Sequence, residues 1–149
     1  MARMPNLIIE DATLIFRNFS GEQQKYNPVG KRNVCVRIPE EAEDQLIEDG
    51  WHLKYLKPRD EDERPTAYLK VNVSYYKYPP EVYMIVNGRK VAVDEANIGK
   101  LDRLDIVKAD IEISPYFYDN DDGKKGVSAY LSSLYVTVNN SLAAKYADM

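Results

Sequence analysis

Three observations predict a mainly β domain, a Greek-key barrel with one or two short helices. Short runs of alternating apolar and polar residues recur along the chain, most clearly in Arg32–Ile38 and Thr66–Tyr76. Turn signals separate these runs, and Asn87-Gly88 is the sharpest of them. Only two stretches carry helix-boundary residues, and the connections mix hairpins with a longer helical excursion. That mixture suits a small Greek-key barrel or sandwich better than a parallel sheet. The 149 residues match one domain; we expect a single β-barrel over 1–138 and a C-terminal tail over 139–149.

Each element follows from its residues. Leu7–Phe19 is a long apolar, β-branched stretch with Glu10-Asp11 near its start, and residues 20–31 form a polar loop with two glycines and a proline. In Arg32–Ile38, Val34, Val36 and Ile38 share one face, and Asn33, Cys35 and Arg37 the other. Pro39–Asp49 reads as a helix, with proline in its first turn, acids after it and Gly50 as the stop. Ala42, Leu46 and Ile47 are expected inward and its six acids outward. Trp51–Lys57 reads as a strand with Trp51, Leu53 and Tyr55 on one face. In Thr66–Tyr76, Ala67, Leu69, Val71 and Val73 point to the core, and Tyr68, Lys70, Asn72 and Ser74 away from it. Val82–Val86 and Arg89–Val93 form a hairpin about Asn87-Gly88. Asp94–Leu104 reads as a short helix with Asp94 as its cap. Leu104–Ser114 is a strand with Val107, Ala109, Ile111 and Ile113 on one face. Tyr116–Tyr118 and Val127–Val138 flank an acidic turn.

Composition removes several classes of function. No apolar run approaches the ~20 residues of a membrane helix, and the N-terminus shows no signal-peptide core. The expected location is therefore intracellular. A single cysteine, Cys35, and a single histidine, His52, leave no basis for a disulfide framework, a cysteine-rich zinc site or a histidine metal centre. Cys35 lies in a strand pattern, where a small packing residue is the plainer reading. No nucleophile elbow, phosphate-binding loop or dinucleotide fingerprint is present. The turn Asp119–Gly123 resembles part of a calcium loop but lacks its spacing and terminal glutamate. We therefore expect no enzyme activity, no metal and no cofactor.

The net charge of −4 leans against nucleic acid, but its distribution matters more. Residues 1–38 carry six Lys/Arg against three Asp/Glu, and residues 51–92 carry eight against five. The acids concentrate in the helix 39–50 and in the last third. Aromatic choice is biased too, with 12 Tyr against 3 Phe and 1 Trp. Binding a single strand requires positive charge for phosphates and exposed rings for base stacking. Three segments supply both: Arg17, Asn18, Phe19, Tyr26, Lys31 and Arg32; Trp51, Lys54, Tyr55, Lys57 and Arg59; and Tyr68, Lys70 and Asn72, continuing to Tyr75, Tyr76, Lys77 and Tyr78. Tyr68, Lys70 and Asn72 must project from one sheet face if the strand is regular, as a stacking platform would. An ordinary solvent-facing strand gives the same pattern, and Trp51 serves equally as a core anchor.

The stretches IFRNFSGEQQKYNPVGKRNVCVRIP and DGWHLKYLKPRDEDERPTAYLKV, with the later AYLSSLYVTV and KYAD, resemble a family of short phage and prophage single-stranded DNA-binding proteins. The resemblance covers nearly the whole chain. It implies an OB-fold-like barrel that coats single strands during phage DNA replication or recombination in the cytoplasm of the bacterial host. Phage replication or recombination proteins are further partners compatible with it, and a homo-oligomer is compatible with the sequence, which does not itself encode an oligomeric state. Lys and Arg of the first two segments would contact phosphates, and Phe19, Tyr26 and Tyr68 would stack on bases. The C-terminal SLAAKYADM holds one acid and one base, so a partner-recruiting acidic tail is not expected. Two other readings remain open on the residues alone: a phage structural or assembly protein, and a protein-binding inhibitor of host defence.

Overall fold

The computed structural model describes residues 5–21, 31–57, 65–76, 79–119 and 125–138. The sequence's first long apolar stretch forms two strands, β1 (Leu7–Ile9) and β2 (Leu14–Asn18). Between them the backbone turns through Asp11, whose φ of 53° lies in the left-handed region that Asp tolerates better than most residues. Two hydrogen bonds fix this corner: Asp11 N–H to Asp110 Oδ1 at 2.9 Å, and Ala12 N–H to the Ala109 carbonyl at 2.7 Å.

Seven further strands follow: β3 (Arg32–Ile38), β4 (Lys54–Leu56), β5 (Thr66–Val73), β6 (Glu81–Val86), β7 (Arg89–Ala92), β8 (Ile106–Asp119) and β9 (Lys125–Val138). They form one mixed sheet, ordered β1-β8-β9-β5-β3-β2 along its main path. Its two ends are the halves of a single bent segment, β1 on β8 and β2 on β3. The sheet therefore curls back on itself through that corner. With β1 and β2 counted as one strand, the order is that of a five-stranded Greek-key barrel, in which β5 and β9 pair in parallel. This is an OB-fold-like architecture.

The core follows from strand alternation. Val34, Val36, Leu69, Val71, Ala109, Ile111, Ile113, Leu131, Leu134 and Val136 are all buried. The helix α1 (Glu40–Asp49) has Pro39 at its cap position, and Gly50 ends it at a φ of 103°. Gly50 N–H reaches the Ile47 carbonyl and Trp51 N–H the Leu46 carbonyl, both at 3.0 Å, which returns the chain into the barrel. Trp51 and Leu53 are buried by that return, so the expected strand over 51–57 shortens to β4 and Tyr55 lies exposed at its margin. Two helix expectations also change. Glu43 is buried beside Leu46, whereas Ile47 is 49% exposed. The buried stripe runs through positions 42, 43 and 46 and leaves Ile47 at its edge.

The hairpin β6–β7 turns on Asn87 (φ 53°) and Gly88 (φ 75°), the two positive φ values that this tight turn demands. Where a helix was expected over 94–104, a 3-10 helix spans Ile98–Asp102. Asp94 caps the preceding turn by accepting the Asn97 N–H at 3.0 Å. Ile98 and Leu101 are fully buried. The strand expected over 104–114 continues to Asp119 and pairs along its length with β9. Its register shifts between Ile106 and Lys108, which turns Val107 outward at 64% exposure. The C-terminal tail and the acidic turn 120–124 lie outside the described residues, and among those described no helix is long and apolar enough to cross a membrane.

Candidate nucleic-acid interface

Strands β2, β3, β4 and β5 contain five Arg or Lys and no Asp or Glu. Their register sets three of these cations on the outer face. Arg37 of β3 and Lys54 of β4 both lie opposite Tyr68 of β5, giving a row Arg37–Tyr68–Lys54. Cys35 lies opposite Lys70 one pleat further on, and Asn33 opposite Asn72 beyond that. Arg37, Lys54 and Lys70 are exposed and Tyr68 is half-buried. Phe16 meets Tyr68 edge-on, with ring centroids 5.8 Å apart. It is 60% exposed and has a φ of 49°, beside a register shift in the β2–β3 ladder. A bulky side chain held in the left-handed region costs roughly 1–3 kcal/mol, and such strain concentrates at functional sites.

The face is asymmetric in charge. At its lower end Arg37 borders a 360 Å³ cavity that Glu10, Asp11, Glu40 and Glu43 also line, so its field is shared with carboxylates. Lys54 and Lys70 lie close enough to Cys35 to pull its thiol pKa down, but burial dominates and pushes it up. The thiol is therefore a neutral floor between two ammonium groups. At the upper end Asn72 Nδ2 donates to the Ala129 carbonyl at 3.2 Å and helps seat β9. Beyond it Tyr130, opposite Asn72, meets Tyr116 edge-on at 5.9 Å. Both border a 610 Å³ groove with Ser74 and Tyr76.

The opposite wall differs. There Tyr83 stacks on Tyr135 at 5.2 Å with Lys90 over Tyr83 at 4.5 Å. Asp110 lies opposite Tyr135, and Glu112 opposite Ser133, which also faces Glu81. Rings are present on both walls, but among the described residues strands β2–β5 carry cations and no acids, whereas Asp110, Glu112 and Glu81 lie among the rings of the other wall.

The structure brings together Lys54, Tyr68, Lys70 and Asn72 of the expected residues. It draws others inside. Phe19 is 0% exposed, Asn18 1% and Trp51 4%, so the stacking role expected of Phe19 is replaced by a core role, and Trp51 and Asn18 present no surface to a strand. Arg17 is committed to the fold, with Nη1 donating to the carbonyls of Leu101 and Leu104, each at 2.7 Å. Arg32 donates from Nε to the Phe19 carbonyl at 2.9 Å and lies over the Tyr75 ring at 5.5 Å. It also pairs with Glu95 at 3.5 Å. Burial raises the Tyr75 phenol pKa, an effect that Arg32 opposes. Lys31 and Lys57 are exposed at strand margins; Tyr26, Arg59, Lys77 and Tyr78 lie outside the described residues. Beside the expected residues, the structure places Phe16, Arg37, Tyr116 and Tyr130 on or next to this face. The absence of acids from four strands was the available signal for Arg37. Nothing in the sequence marks Phe16, whose exposure depends on a register shift.

Fold and face together define a barrel protein of the oligonucleotide-binding type, with a wall that offers rings and cations. The family described as "Putative phage ssDNA-binding domain" matches residues 1–149. The chain belongs to this phage single-stranded DNA-binding family, and single-stranded DNA is its ligand. Among solved structures it is similar to the single-stranded DNA-binding protein from bacteriophage Enc34 in complex with ssDNA. That match has 10% identity and a TM-score of 0.59 and covers 91% of this chain and 88% of the other. A C-terminal truncation of the same Enc34 protein matches with 10% identity and a TM-score of 0.57, over 91% and 87% of the two chains. These likenesses bear on the fold. No curated protein matches the sequence.

Proposed function

We propose that the outer wall formed by β2, β3, β4 and β5 is where the single strand lies, and that the protein coats strands exposed during phage replication or recombination in the host cytoplasm, without catalysis. The observation that carries this reading is the row Arg37–Tyr68–Lys54, with Phe16 against Tyr68 and Lys70 one pleat above. Tyr68 gives a base an aromatic surface, and Lys54 and Lys70 flank it for phosphates. In OB-folds the face of the second and third barrel strands, with the loops that join strands 1–2 and 4–5, binds oligonucleotides; those two strands are β3 and β5 here. The reading of no catalysis rests on the character of the wall. The titratable groups of these four strands are lysine amines, arginine guanidinium groups, the phenols of Tyr55 and Tyr68 and a thiol held neutral by burial.

The test is equilibrium binding of a labelled oligo-dT across a salt series. The observed constant should fall with salt by a slope of about 0.7 per phosphate contact. Lys70→Ala should make the slope shallower, and Tyr68→Ala should weaken binding at an unchanged slope. A slope insensitive to Lys54 and Lys70 together would sink this placement.

A further inference from the structure

A second cationic site lies at the end of the barrel, away from the Tyr68 row. The 3-10 helix Ile98–Asp102 and the end of β2 enclose a 420 Å³ cavity lined by Arg17, Asn18, Ser20, Gly99, Lys100, Asp102 and Arg103. Three of these are cations and one is an acid. That acid is already occupied: Asp102 accepts the Phe19 N–H at 2.6 Å, the Ser20 N–H at 3.1 Å and the Ser20 hydroxyl at 2.7 Å. These donors are neutral, so they fix Asp102 at the end of β2 and leave its charge in place, one acid against three cations. Arg17 is fixed by two carbonyls, which orient its guanidinium without neutralising it. Lys100 and Arg103 are exposed. The floor is tight, because a Cβ at Gly99 would stand 3.1 Å from Ser20 Cβ, so the cations border an open recess over a packed backbone.

We propose that this cavity binds a backbone phosphate of the same single strand, with Lys100 and Arg103 as the contacting groups and Arg17 adding to the field from a fixed position. The inference rests on the placement of DNA on the β2–β5 wall and extends its path. Asn18 borders the cavity and also lies opposite Asn33, which lies opposite Asn72. The cavity therefore begins where the uppermost row of the wall ends. Asn18 and Asn33 are themselves buried, so they mark only the direction: a strand that crosses Tyr68 and Lys70 and continues over this row arrives at Lys100 and Arg103. A phosphodiester suits the recess because it needs charge-assisted donors without any reading of bases.

The experiment compares two oligo-dT lengths on the intact protein. One is a four-nucleotide oligomer, near the lower limit for a single OB-fold, and the other a twelve-nucleotide oligomer that outruns the wall. Lys100→Ala combined with Arg103→Ala should weaken the longer oligomer roughly 25-fold at about 0.1 M salt and make its salt slope shallower by about 1.4, the loss of two single-strand phosphate contacts. The shorter oligomer should bind as before. Both side chains are exposed, and an unchanged melting temperature checks that the fold is intact. Equal losses on both lengths would overturn the proposal, because they would place these groups on the wall itself. No loss on either would also overturn it and leave the recess to an acidic protein segment. The wall reading fails separately, through Lys54→Ala with Lys70→Ala leaving both lengths unaffected.

Discussion

Two segments that look alike in sequence end in opposite roles. Arg17-Asn18-Phe19 with Arg32, and Lys54 with Tyr68-x-Lys70, are both runs of cations, amides and rings. In the first, Phe19 fills the core, and the arginines donate to the backbone carbonyls of Leu101, Leu104 and Phe19. In the second, the strand buries Leu69 and Val71 and turns Tyr68 and Lys70 outward. Composition cannot separate the two. What separates them is whether a neighbouring backbone group needs the donor, since a buried unsatisfied carbonyl costs about 1–3 kcal/mol and draws a long guanidinium to itself.

Substitutions break that comparison in a definite order. Phe19→Ala should cost about 3–5 kcal/mol of unfolding free energy, as for a fully buried aromatic, read as a lower denaturant midpoint. Binding measured well below that midpoint should remain. The reversal Lys54→Glu with Lys70→Glu should do the opposite, leaving the midpoint nearly unchanged and weakening oligo-dT by at least about 25-fold at 0.1 M salt through two lost phosphate contacts. Tyr68→Ala should cost about 1–3 kcal/mol of binding, whereas Tyr83→Ala on the acidic wall should leave affinity unchanged.

Smaller effects sharpen the picture of the wall. At Phe16 the φ of 49° reverses the usual strand preference, so Phe16→Gly should be more stable than Phe16→Ala by about 1 kcal/mol. An equal or lower stability for the glycine variant would mean that the backbone relaxes there. Cys35 reports from the centre of the wall. Burial disfavours its thiolate and the two lysines favour it, so removing Lys54 or Lys70 should raise the thiol pKa further. Alkylation at mildly alkaline pH should then slow, although access to the sulfur has widened. Faster alkylation would show that steric cover governs the thiol.

Much of the fold was legible because alternation is a backbone property. Val34-x-Val36-x-Ile38 and Leu69-x-Val71-x-Val73 can satisfy a core only as strands, and Asn87-Gly88 can hardly be other than a hairpin turn. The break between β1 and β2 was marked only by the polar pair Glu10-Asp11; that Asp11 turns a barrel corner depends on its hydrogen bond to Asp110 and that of Ala12 to Ala109, which the local sequence does not show. The 3-10 helix was overread because Asp94 caps a turn as well as it caps an α-helix. In the site, the Tyr68–Lys70–Asn72 face was legible from period-two spacing. Local alternation set Arg37 on the outer face, but its place opposite Tyr68, and that of Tyr130 opposite Asn72, come from register between strands distant in sequence, which no local pattern encodes.

Photocrosslinking tests the central claim most directly. Oligo-dT carrying 5-iodo-deoxyuridine should, on irradiation and peptide mapping, attach to Tyr68 and Phe16 on the cationic wall. Attachment confined to Tyr83 and Tyr135 would contradict the account, because it would place the strand on the acidic wall.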